Sequence, residues 1–213
     1  MNKKNKTTLA IIITILIALL VVMFIVYRGQ ESLRDKDFAP GTEWSNGQDY
    51  LVYQENNKTM VKNSLIGLTL EVPENWTAEV KNFGLDEWAA QIKSPDLETD
   101  ENQIVQQGCF IQLEVVENEN NFQWISQRIE IMKQASEKIL IDGSSIYSLV
   151  KINNINALRK EMPSDASLAS VFPRISLPMS INKIAMLNCQ FVAGENQNKC
   201  QKKLLQILDS IKF

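Results

Sequence analysis

Nineteen consecutive residues from Leu9 to Tyr27 (LAIIITILIALLVVMFIVY) are apolar except for Thr14, and they stand directly behind the basic start Lys3, Lys4 and Lys6. At about 1.5 Å per residue a helix of this length reaches roughly 28 Å, close to the ~30 Å hydrocarbon thickness of a bilayer. A helical Thr hydroxyl bonds back to its own backbone, so Thr14 is compatible with the run. A cleaved secretory signal would show a shorter apolar core followed by a small-x-small site. This run instead exits through Phe24, Ile25, Val26, Tyr27 and Arg28, with no Cys nearby to carry a lipid. The expectation is an uncleaved signal anchor, in preference to a cleaved signal or a buried core helix.

Orientation follows from Lys and Arg counted on each side. Lys3, Lys4 and Lys6 precede the span, while Arg28, Arg34 and Lys36 follow it among Glu31, Asp35 and Asp37, so the charge pattern modestly favours a cytoplasmic N-terminus. No second long apolar run follows. The predicted organisation is a cytoplasmic start at residues 1–8, a single membrane span at 9–27, a flexible linker at 28–49 rich in charge, Gly and Pro, and one extracytoplasmic domain at 50–213. The cell membrane, through residues 9–27, is thus the first predicted partner.

From Arg28 onward 19 basic residues stand against 25 acidic ones, a net charge of −6, which argues against a nucleic-acid surface. Histidine is absent, and with it the side chain that most often serves as general acid–base or transition-metal ligand near neutral pH. The three cysteines, Cys109, Cys189 and Cys200, are too scattered for a zinc site. Cys109 alternates with Ile111, Leu113 and Val115 and reads as a small buried hydrophobe. Cys189 near a strand end and Cys200 at a helix start are joined by a short polar loop, and in an oxidising compartment they are predicted to form a disulfide contributing about 3 kcal/mol.

Period-2 alternation marks IGLTLEV from Ile66 to Val72, stopped by Pro73, and GCFIQLEVV from Gly108 to Val116 as strands. LVYQ, TMVK, TAEVK and EWAAQIK are further strand candidates. SSIYSLVKI and INALRKEM form a hairpin about Asn153 and Asn154, followed by VFPRISLP and KIAMLNCQFV. Helical spacing of Phe122, Ile125, Ile129, Met132 and Ala135, with Asn120 or Asn121 as N-cap, predicts one amphipathic helix. Cys200, Leu204, Ile207, Leu208 and Ile211 predict another at the C-terminus. The fold class expected is α+β, a mainly antiparallel sheet flanked by helices.

The phrase IGLTLEVPENW, a strand running into Pro73, an acidic turn residue and Trp76, resembles the entry signature of PsbP-like domains. The closing ISLPMSINKIAMLNCQF, the polar loop with Cys200 and LLQILDSIKF are similar to that superfamily's final hairpin and helix. The resemblance spans roughly residues 60–213. It implies an α/β/α sandwich, as in the photosystem extrinsic subunit PsbP and a Ran-binding nuclear-import factor, and partner-binding rather than catalytic roles. The superfamily has no shared active-site motif, so the resemblance assigns no residue a function, and fold alone does not imply function.

No residue constellation names a reaction, so no catalytic residue and no cofactor is predicted. Ser148/Lys151 and Ser180/Lys183 fit S-x-x-K, but both fall in strand or turn segments rather than on a helix. Asp96, Glu98, Asp100 and Glu101 form an acidic loop that could ligate Ca²⁺, without the spacing of a calcium loop. Of Trp44, Trp76, Trp88 and Trp124, Trp76 reads as a core plug. On the helical wheel Trp124 falls well away from the middle of the Phe122, Ile125 and Ile129 stripe and is the residue expected to touch a partner. The function expected is a non-catalytic envelope interaction domain that binds another envelope protein. An envelope hydrolase, or a carbohydrate- or Ca²⁺-binding module, is the alternative.

Overall fold

A computed structural model of the chain describes residues 41–84, 86–101, 104–135, 139–142, 145–161, 173–191 and 195–213. The predicted span at residues 9–27 lies outside them; among the described residues no helix is long and apolar enough to cross a membrane. Gly41–Phe213 forms one unit.

The alternating segments become antiparallel strands. The main sheet holds β1 (Glu43–Trp44), β5 (Thr77–Asn82), β6 (Trp88–Lys93), β9 (Cys109–Glu117), β10 (Ile139–Asp142), β11 (Ser145–Ile152), β12 (Ile155–Glu161), β13 (Arg174–Pro178) and β14 (Lys183–Phe191). They run in the order β10-β11-β12-β13-β14-β9-β6-β5, with β1 on β9. A smaller sheet contains β2 (Tyr50–Glu55), β3 (Lys58–Asn63) and β4 (Leu68–Glu71), and a two-stranded ribbon pairs β7 (Glu98–Thr99) with β8 (Val105–Gln107). Among the described residues two α-helices complete the fold, α1 (Glu119–Gln134) and α2 (Glu195–Ser210). The class is α+β with a mainly antiparallel sheet, as the alternation implies.

Strand pleating sends the two residue sets of each strand to opposite faces. Cys109, Ile111, Leu113 and Val115 of β9 share one face with Ala185, Leu187, Cys189 and Phe191 of β14, because the register sets Cys109 opposite Phe191 and Ile111 opposite Cys189. That face is covered by the α2 stripe of Cys200, Leu204, Ile207, Leu208 and Ile211 and by Val61, Leu68 and Leu70 of the small sheet, forming the main core. On the other face α1 buries Ile125, Ile129 and Met132 against β11 to β14. Trp76 is buried in the main core, the plug expected from its position after Pro73.

Three boundaries differ from expectation. Residues 41–49, read as the end of the linker, belong to the fold. β1 pairs with Val116 and Glu117, and Ser45 accepts a hydrogen bond from Asn63 Nδ2 (2.9 Å) while donating to Asp49 Oδ2 (3.0 Å). This segment is held by polar side chains rather than apolar periodicity, which hides it in the sequence. The helix N-cap is Asn118, not Asn120 or Asn121: Asn118 Oδ1 accepts from Asn121 N at 2.9 Å, so α1 starts two to three residues earlier. Strand β10 was not foreseen, because four residues carry no readable period and only pairing with β11 extends them.

Candidate functional site

The C-terminal helix is pinned at one corner of the sheet. Cys200, in the second turn of α2, is joined by a disulfide to Cys109, with Cα atoms 6.1 Å apart, and Cys189 is free and buried. The predicted Cys189–Cys200 pairing is therefore corrected. Cys109 lies directly opposite the last residue of β14, Phe191, and α2 begins four residues later, so its early turns pass over the start of β9. Cys189 sits two residues back along β14 on the same face. Burial pushes the Cys189 thiol up to about 12, with the Arg159 charge opposing weakly.

Beside the disulfide, Cys109 N donates to Ser94 Oγ at 2.9 Å and Ser94 N donates to the Cys109 carbonyl at 2.9 Å. Gly108, at φ +71°, precedes this contact, and a Cβ there would stand 2.5 Å from Ser94 Oγ and 2.7 Å from the Asp96 carbonyl oxygen. Lys199, next to Cys200, pairs with Asp96 Oδ2 at 2.7 Å. That hydrogen bond, helped by one from Ser94, holds the Asp96 carboxyl below its ordinary value.

The four acidic candidates are not brought to one point. Asp96 faces Lys199, and Glu98 lies in β7. Asp100 accepts from Ile104 N at 2.8 Å, closing its turn, while Glu101 is exposed. Among the described residues no three His, Cys, Asp or Glu side chains cluster. The S-x-x-K pairs fare likewise: Ser148 and Lys151, three apart on β11, point to opposite faces, and Ser180 opens the turn that Lys183 closes.

Trp124 of α1 is 39% exposed. Its ring meets Tyr147 of β11 edge-on at 5.5 Å, and the Arg128 guanidinium lies 5.2 Å from its centroid. The i, i+4 spacing of Trp124 and Arg128 is the sequence signal for this stack; Tyr147 joins only through the tertiary fold. Tyr147 stands opposite Leu140 of β10 on one side and Lys160 of β12 on the other. Trp44 and Trp88 are half-buried, Trp88 packed over Gly47, where a Cβ would fall 2.5 Å from the ring.

A shallow groove of about 430 Å³ lies between the Pro73 turn and α2, lined by Glu71, Pro73, Glu74, Lys203, Gln206, Asp209 and Ser210. Its polar groups are already engaged in part: Glu71 pairs with Lys58 at 2.7 Å and donates its backbone N–H to Ser210 Oγ at 2.9 Å. Neither Asp96 nor Cys189 nor Tyr50, whose buried phenol is pushed up chiefly by desolvation, lines it.

No protein-family model matches the chain, and no curated protein does. Among solved structures, a crystal structure from Bacteroides thetaiotaomicron VPI-5482 is similar over 68% of this chain at 9% identity, with a TM-score of 0.38. The aligned part spans 44% of that structure's own length. At that level the likeness carries no functional inference.

Proposed function

We propose that this chain is a membrane-anchored, non-catalytic extracytoplasmic interaction domain of PsbP-like α/β/α type, tethered by residues 9–27 and binding another envelope protein. The observation that carries the reading is the Cys109–Cys200 disulfide in the domain that follows the apolar run. Disulfides persist in oxidising compartments and are rare in the cytosol, so this bond supports an extracytoplasmic site independently of hydropathy. The PsbP-like reading draws support from the placement of its quoted phrases. The strand before Pro73 and the buried Trp76 enter the main core, and the closing hairpin β13–β14 leads into the core-covering helix. The non-catalytic reading draws support from the scatter of the shifted groups: Tyr50 and Cys189 are held by core packing and Asp96 by an ion pair, none of them beside the groove.

The test is topology. Full-length chain carrying a C-terminal alkaline phosphatase, which folds only where disulfides form, is compared with a C-terminal green fluorescent protein fusion. Phosphatase activity in the membrane fraction, abolished when residues 1–27 are removed, is the expected result. Fluorescence with an inactive phosphatase would overturn the reading.

A further inference from the structure

All three cysteines are buried in the main core, yet only two are bonded. The register sets Cys109 opposite Phe191 and Cys189 opposite Ile111, so Cys189 is the diagonal neighbour of Cys109 across β9 and β14, about 7 Å away. Cys200 reaches this pair from α2 and takes Cys109, leaving Cys189 as a free thiol on the same face. Distances along the chain favour the opposite choice. Cys189 and Cys200 are 11 residues apart, with only the end of β14 and the start of α2 between them, whereas Cys109 and Cys200 are 91 apart. The entropy cost of closing a loop rises as three-halves of the logarithm of its length, so an unfolded chain brings Cys200 to Cys189 about 20-fold more often than to Cys109. The native bond also requires β9 to be beside β14, a non-local pairing that forms slowly.

We propose that Cys189 is a way-station thiol: the folding chain first closes Cys189–Cys200 and then passes the bond to Cys109 by internal thiol–disulfide exchange. In the first step the Cys200 thiolate attacks a small disulfide oxidant of the glutathione-disulfide class and releases one oxidant thiol. The Cys189 thiolate then attacks the Cys200 sulfur and releases the second, so two electrons pass to the oxidant. In the second step, once β9 lies beside β14, the Cys109 thiolate attacks Cys200 Sγ, forms Cys109–Cys200 and expels Cys189 as a thiolate, which takes a proton from solvent before the core closes. That step is an exchange within the chain and needs no oxidant. Because the two strand cysteines are diagonal neighbours on one face, Cys200 trades one for the other without leaving its corner of the sheet. Burial then ends the exchange. In the closed core the Cys189 thiol, pushed up to about 12, supplies almost no thiolate at neutral pH to attack the finished bond. The inference goes beyond the interaction-domain reading and does not depend on it.

The test is the refolding of full-length chain, reduced in urea and detergent, in a buffer of oxidised and reduced glutathione. Samples taken at intervals are blocked with a maleimide and mapped without reduction. Trypsin cuts after Lys199, between Cys189 and Cys200, so each pairing gives a different linked peptide. Cys189–Cys200 is expected to be the first internal bond, at least 10-fold over Cys109–Cys200 at early times, and to decay as Cys109–Cys200 rises. Cys189→Ala is expected to reach the same native pair at least 3-fold more slowly. Three outcomes overturn the proposal: Cys109–Cys200 appearing first, a Cys189–Cys200 species that persists, or Cys189→Ala closing the native bond at the wild-type rate or faster. The wild-type time course needs no substitution, so a variant that fails to fold leaves the test intact.

Discussion

Cys109, the first residue of β9, and Cys200, in the second turn of α2, are 91 residues apart in sequence and covalently joined, so the C-terminal helix is tied to the central strand of its own core. Cross-linking a loop of that length stabilises a fold by about 4.6 kcal/mol on chain-entropy grounds. Cys109→Ser is expected to lower unfolding free energy by that order, measured by urea titration. Non-reducing peptide mapping is expected to return a Cys109–Cys200 linked pair, with Cys189 resisting alkylation until the protein is unfolded. A native Cys189 that alkylates readily at neutral pH would contradict its burial.

Gly108 makes this corner possible. A side chain there meets both a positive φ and a Cβ inside the contact distance of Ser94 and Asp96. Backbone strain at such a site costs roughly 1–3 kcal/mol before any steric term. Gly108→Ala should therefore destabilise by at least about 2 kcal/mol, whereas Gly67→Ala, with the same sign of φ and open space around it, should cost less.

The Asp96–Lys199 pair predicts a pH dependence. The carboxyl is lowered below its unfolded value of 3.8, so its contribution to stability is fully present above that value and is lost as pH falls through the folded pKa. Comparing chemical denaturation at pH 6 and pH 3 for wild type and Lys199→Ala should show the variant losing less on acidification. The difference should be small, since both side chains are partly exposed and the pair is screened.

Tyr50 links the two sheets: Val115 N donates to its phenol oxygen at 2.9 Å, and the ring is buried in the main core. Tyr50→Phe keeps the ring and leaves a buried backbone N–H without that partner, a loss of about 1–3 kcal/mol. Tyr50→Ala adds a cavity and should cost more, read by thermal unfolding.

Much of this fold was legible in the sequence because burial in a strand or helix is written locally, at periods of 2 and 3.6 residues. Ile66–Val72, Gly108–Val116, the hairpin at Asn153 and Asn154, and the α2 stripe all announce themselves that way, and the strand at Cys109 was oriented correctly without knowledge of its neighbours. The exposure of Trp124 followed from the same wheel. Its stacking against Tyr147 did not, since that contact joins a helix to a strand across 23 residues.

What the sequence determined by itself, then, was class: antiparallel strands, two amphipathic helices, an acidic histidine-free domain behind an apolar run. Only the tertiary structure decided the partners. Whether Cys200 meets Cys109 or Cys189, and whether residues 41–49 are linker or fold, depend on which strands become neighbours. β9 and β14, some 70 residues apart, pair along their whole lengths and carry Cys109 to the foot of α2. That register is set by the summed packing of two faces, and no local pattern records it.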